Sequence, residues 1–179
     1  MLRRGAAVFS ALSFVVLAGA VIVLIALRPP APVAPQPPLV GPVSRILVEK
    51  AARRMTVYVG AEVARVYAVR LGFAPSGDKR VQGDGRTPEG LFRIDRRNAA
   101  SAYHLSLGLD YPRPADRARA AAAGVDPGGD IFLHGQPNIL PAGVTLGHDW
   151  TAGCVALSDA EIEELFAATP IGTEVEIRP

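Results

Sequence analysis

The sequence predicts a mainly β domain carrying two short helices. Three observations predict it. Runs of apolar and β-branched residues between positions 45 and 71, and again at 173–177, alternate or cluster as strands do. Glycine and proline punctuate these runs at short intervals. Only two segments carry helix signals, 114–123 and 159–168.

Taken in order, Arg45–Lys50, Met55–Val59 and Glu62–Leu71 read as a meander of strands joined by tight turns. Gly72–Gly90 is rich in glycine, proline and charge and reads as a long loop. Leu91–Asp95 and Ala102–Leu107 are the next two strands. Pro114–Ala123 is alanine-rich and arginine-rich, with Gly124 as a stop, and reads as a helix. Asp130–Leu133 is a short strand that runs into His134-Gly135. Ser158 to Glu161 has the form of a capping box, in which a hydroxyl meets the third helical amide and a carboxylate reaches back. Ile162, Leu165 and Phe166 follow at helical spacing, so the second helix is Asp159–Ala168, with Thr173–Ile177 as the last strand.

Ahead of this domain, Gly5–Leu27 holds 23 residues without a charge. About 20 residues suffice to cross the hydrocarbon core of a bilayer, so residues 1–28 are expected to form an uncleaved transmembrane anchor. A cleaved signal peptide is the alternative, but its apolar stretch runs only about 7–15 residues. Arg3 and Arg4 before the span outweigh Arg28 after it, which favours a cytoplasmic N-terminus and an extracytoplasmic domain. Residues 29–43 hold six prolines between Pro29 and Pro38, with Pro42 beyond, and read as an extended linker. The domain itself is expected over 44–179.

Composition narrows the function. The chain has 179 residues, 49% hydrophobic and 20% charged, unlike a disordered chain. Setting aside Arg3, Arg4 and Arg28 leaves 16 basic against 17 acidic side chains, so the domain carries no basic excess for nucleic acid. One cysteine excludes an intrachain disulfide framework.

That cysteine, Cys154, follows Gly153 and precedes the second helix. A free cysteine is most often a buried, inert residue. A reactive thiol needs a base nearby, and His134 and His148 are the candidates. His134, His148 and Cys154 could also supply three zinc ligands, but no closely spaced ligand pair supports a metal. No cofactor is called for.

His134-Gly135 is separated from Thr151-Ala152-Gly153-Cys154 so that residues 135–150 make 16 intervening positions. Upstream stands Gly85-Arg86-Thr87-Pro88-Glu89-Gly90-Leu91-Phe92. In order and spacing, these two motifs resemble the L,D-transpeptidase catalytic domain (YkuD) family, and the resemblance covers about Arg45 to Pro179. It departs at Ala156, where many members carry Arg or Asn, and at Ala152, where others carry His or Lys. The first departure removes one expected contact to a substrate carboxylate.

The resemblance implies a cell-wall acyl transferase acting on peptidoglycan stem peptides that end in D-alanine. Cys154 would be the nucleophile and His134 the general base and acid, with Gly153 shaping the turn and, with the Cys154 amide, donating to the oxyanion. Thr151, His148, Trp150 and Gly135 would contact substrate, Trp150 alternatively anchoring its loop. Asp149 would bind an amine or cap a turn. The amine acceptor would be a second stem peptide or a lipoprotein lysine. With water as acceptor the activity would be that of an L,D-carboxypeptidase or hydrolase, and without turnover the domain would be a silent peptidoglycan-binding module.

Overall fold

A computed structural model describes residues 38–179. The predicted anchor and residues 29–37 of the linker lie outside them. Among the described residues no helix is long and apolar enough to cross a membrane.

Eight strands and two helices follow in order: β1 Arg45–Glu49, β2 Arg54–Val59, β3 Glu62–Ala68, β4 Gly90–Ser101, β5 His104–Leu109, α1 Pro114–Ala122, β6 Phe132–His134, β7 Val155–Ala156, α2 Asp159–Ala168 and β8 Glu174–Arg178. They build one curled sheet in the order β3-β2-β1-β8-β4-β5-β6-β7. The pairs β1–β8 and β6–β7 are parallel and the rest antiparallel.

Two features curl it. β4 has 12 residues and serves both halves, pairing β8 through Gly90–Arg93 and β5 from Ile94 onward. Beyond β3, Arg70 and Ala156 exchange backbone hydrogen bonds at 2.9 and 2.7 Å, and Thr151 meets Leu71 and Phe73 at 3.1 and 2.9 Å. The two ends of the strand order are thus stitched together. Inside lies one apolar cluster that includes Ile46, Met55, Leu71, Phe92, Leu107, Leu133, Val155 and Ile177. α2 adds Ile162 and Leu165 to it, and its capping box forms, with Ser158 N–H donating to Glu161 Oε2 at 2.9 Å.

Three expectations change. β4 extends six residues past the predicted Asp95, because its outer half pairs with β5 while exposing Arg97–Ala100. β7 is a strand of two residues with no periodicity to read. The end of the predicted linker belongs to the domain: Val43 is buried, its N–H donates to the Ala168 carbonyl at 2.9 Å, and the Leu39 N–H donates to Glu164 at 3.0 Å.

Candidate active site

β6 and the turn into β7 set the candidate thiol and imidazole. Parallel pairing puts His134 level with Ala156 and Leu133 level with Val155. Cys154, one residue before β7, is therefore level with Phe132. Strand side chains alternate, so Cys154 and His134 project to one face, offset by one pleat repeat. Both line a cavity of about 520 Å³ with Ser106, Asp130, Trp150 and Thr151.

His134 is 3% exposed. Its Nδ1 lies 2.7 Å from the Gly135 carbonyl, which can only accept, so Nδ1 carries the proton and Nε2 keeps its lone pair. Burial lowers the tendency of the imidazole to protonate, more than the Gly135 carbonyl raises it. A neutral imidazole with a free Nε2 is the form a general base needs.

Cys154 is half-buried, and its Sγ donates to the Asp130 carbonyl at 3.4 Å. Burial pushes the thiol up to about 11, while the Phe132 amide pulls weakly the other way. The resting pair is therefore thiol and imidazole. No thiolate waits for substrate, contrary to what an imidazole close in sequence suggests. Such a pair ionises when the thiol proton passes to Nε2 as the nucleophile attacks.

The turn before Cys154 is built from glycines and one hydroxyl. Gly153 has φ +140°, and a Cβ there would stand 2.7 Å from the Arg86 carbonyl. The Gly85–Phe92 motif therefore lies directly under the cysteine turn. Thr87 of that motif, fully buried, accepts from the Gly72 N–H at 3.1 Å. Thr151 Oγ1 accepts from the Gly153 N–H at 3.1 Å and donates to the Cys154 carbonyl at 2.8 Å. The Gly153 amide, an expected oxyanion donor, thus has Thr151 as its acceptor in this structure.

The remaining predicted residues divide. Trp150 lines the cavity, and its Nε1 is buried without a partner. His148 is exposed and absent from the cavity wall. Gly135 also lies outside the wall; a Cβ there would be 2.6 Å from Asp159 Oδ1, so its smallness lets α2 pack against β6. Asp149 is held by Arg53 (3.1 and 2.8 Å) and by the Leu71 N–H (2.9 Å), a tether for the loop. Burial would raise its carboxyl, but Arg53 and the Leu71 amide outweigh this and hold it below the usual range. Tyr103, in the β4–β5 turn, was not foreseen; its ring stands 4.7 Å from that of His134. The sequence places it inside a strand, Ala102–Leu107; the structure makes 102–103 the turn and starts β5 at His104, so nothing in the sequence singles it out. Among the described residues no group of three His, Cys, Asp or Glu side chains is placed to hold a metal ion.

Fold and site together define a class: a curled, mainly β domain with an imidazole at the end of one strand and a thiol at the start of its parallel neighbour. The model of the L,D-transpeptidase catalytic domain (YkuD) matches residues 44–177, and the chain belongs to that family. Among solved structures it is similar to the helical cell shape determining protein Pgp2 from Campylobacter jejuni, with 25% identity and a TM-score of 0.56 over 78% of this chain and 48% of that one. It is also similar to Bd1075 from Bdellovibrio bacteriovorus, with 21% identity and a TM-score of 0.53 over 79% of this chain and 52% of that one. An L,D-transpeptidase from Xylanimonas cellulosilytica shares 15% identity and a TM-score of 0.50 over 80% of this chain and 65% of that one. The chain thus spans about half the length of the first two. No match was found among curated proteins.

Proposed function

We propose that the chain is a cysteine-dependent L,D-transpeptidase of peptidoglycan. The observation that carries this reading is the placement of Cys154 and His134 on one face of one cavity, within a domain of the family. The Cys154 thiol passes its proton to His134 Nε2 as Sγ attacks the carbonyl of the third stem residue. The tetrahedral adduct collapses, His134 returns the proton to the leaving amine, and D-alanine departs. An acceptor amine attacks the thioester and loses a proton to His134, and the thiolate leaves and is reprotonated. Two acyl transfers replace one direct amide exchange.

The acceptor is a second stem peptide, or else a lipoprotein lysine. Residues 1–28 anchor the chain in the bacterial cytoplasmic membrane, and the Arg3 and Arg4 excess puts the domain on the extracytoplasmic side, where its substrate lies. Similarity to a cell shape determining protein supports a role in wall architecture.

The test is mass spectrometry of muropeptides incubated with the full chain and with Cys154→Ser. Loss of D-alanine with new cross-linked dimers is expected, falling about 10³-fold or more in the variant, the scale at which nucleophile removal acts. Loss of D-alanine without dimers would make the enzyme an L,D-carboxypeptidase. Binding with no turnover in either protein would make it a silent wall-binding module.

A further inference from the structure

Tyr103 reaches the histidine from a stretch of chain that no motif marks. It occupies the two-residue turn between β4 and β5, flanked by the Ser101–His104 pair. Its ring centroid lies 4.7 Å from that of His134, with planes 36° apart. Trp150 stands 5.7 Å from Tyr103 and 5.5 Å from His134, the latter at 67°. All three distances fall within the range of favourable ring pairs. The three rings therefore form one triangular cluster, with both aromatics against the imidazole and against each other.

The turn that carries Tyr103 is fastened to the strand that carries His134. The Tyr103 carbonyl accepts from the Gly135 N–H at 3.1 Å, and the Tyr103 N–H donates to Ser101 Oγ at 3.0 Å. Asn138 completes the fastening. Its Oδ1 accepts from the His104 N–H at 2.7 Å, its Nδ2 donates to the Ser101 carbonyl at 2.9 Å, and its N–H donates to the Ala102 carbonyl at 3.0 Å. The Tyr103 side chain is 40% exposed while His134 is 3% exposed, so Tyr103 is the cover and His134 the covered group.

No charge does this work. Cys154 and Asp130 are the other titratable groups of the cavity, and Asp159 and the His104–Glu163 pair stand behind Gly135. Among the described residues none of them makes a hydrogen bond or ion pair with the imidazole, whose polar partner there is the Gly135 carbonyl. Nor does the Tyr103 hydroxyl find a partner among the described residues. What acts on His134 is the aromatic face.

We propose that Tyr103 is a positioning residue, whose ring, backed by Trp150, fixes the plane of His134 and shields it from water, so that Nε2 faces the cavity as an unprotonated base. This rests on His134 being the general base. The ring matters and the hydroxyl does not. A tip that merely stabilises the hairpin would leave the titration of the imidazole alone.

The test follows the three histidines of the full chain by long-range ¹H–¹⁵N NMR across pH, with His134 assigned from the His134→Gln spectrum. Tyr103→Ala is expected to raise the His134 midpoint toward the ordinary value of about 6.5, because water regains the ring. In the muropeptide assay it moves the acid limb of kcat/KM upward by the same interval and lowers kcat by about 10- to 100-fold, the range expected of a displaced base. Tyr103→Phe keeps the wild-type midpoint and limb. If the alanine variant does not fold, Tyr103→Leu, a poorer cover, still raises the midpoint. An unmoved midpoint in Tyr103→Ala, or a Tyr103→Phe variant that behaves like it, overturns the proposal. If the wild-type chain transfers no acyl group, the NMR midpoints still decide the question of cover, and the failure falls on the functional reading alone.

Discussion

On the β1–β3 side of the sheet, ionisable groups meet partners. Arg65, 9% exposed, donates through Nε to both oxygens of Glu164 at 3.0 Å, and the Tyr67 hydroxyl donates to the same carboxylate at 2.6 Å. Lys50, 3% exposed, meets Glu89 at 2.8 Å and the Thr87 carbonyl at 2.9 Å. On the β6–β7 side, His134 and Cys154 are covered without meeting a charge. Pairing keeps Glu164 ionised: burial would raise it, yet Arg65 and Tyr67 hold it below the usual carboxylate range. Desolvation keeps the second set neutral. The first arrangement fixes α2 against β3; the second leaves two groups ready to exchange a proton. The contrast separates what holds the domain together from what it uses.

The largest effect expected from breaking this contrast is at Glu164. Glu164→Gln removes the carboxylate that Arg65 and the Tyr67 hydroxyl share, at a cost of about 3 kcal/mol, the upper end for hydrogen bonds to a charged group. For a domain of this size that lowers Tm by roughly 10 °C. Acyl transfer per folded molecule at 25 °C stays unchanged. Cys154→Ser does the reverse, with activity lost and Tm nearly kept. Thermal unfolding by circular dichroism, read beside the muropeptide assay, checks both. Equal Tm losses in the two variants would show that the reactive side also carries the fold.

Thr151→Val sharpens the comparison where the two kinds of group touch. The hydroxyl, in a residue 4% exposed, serves the Gly153 amide and the Cys154 carbonyl at once. Valine keeps the shape and strands two backbone groups, which costs about 2 kcal/mol. The loosened turn exposes Sγ, so iodoacetamide modifies Cys154 faster, and turnover falls about tenfold, as for other small displacements of a reacting group. Thr151→Ser restores both. A gain in turnover would instead mean that the freed Gly153 amide serves the oxyanion better than the hydroxyl-bound one.

Most strands were legible because β-branched residues alternate, and α2 because Ser158 and Glu161 spell its cap. The outer half of β4 was not, because its residues face solvent and bury nothing that sets a period. Nor was the stitch between Arg70 and Ala156, a contact across 86 residues of chain that no local pattern encodes. At the site, Cys154 and His134 stood out by chemistry and spacing. Asp149 could be read either as an amine contact or as a turn cap; its partners, Arg53 and the Leu71 N–H, are far away in sequence and no local pattern names them. Tyr103 was silent because a turn aromatic acquires meaning only when the hairpin folds over β6.

The smallest expected effect is the dependence of stability on pH, and it reads the two sides separately. His134 protonates less readily folded than unfolded. Its contribution is thus full above about 6.5, the unfolded value, and declines as pH falls below it. Cys154 is raised to about 11, so its contribution is full below the unfolded thiol value and is lost as pH climbs toward 11. The paired carboxylates Glu164, Asp149 and Asp84, the last held by Lys79 at 2.9 Å, are lowered and act in a third window, losing their contribution only as pH falls below about 4. Urea unfolding between pH 3 and pH 10 is therefore expected to give a flat top bounded by two shallow shoulders, with a steeper acid decline beyond. Cys154→Ser removes the alkaline shoulder and leaves the acid side intact. His134→Gln removes the shoulder just below 6.5 and leaves the steep decline, which belongs to the ion pairs. Identical alkaline shoulders in wild type and Cys154→Ser would mean that burial does not hold the thiol neutral, and the division between paired and merely covered groups would fail at the residue proposed as the nucleophile.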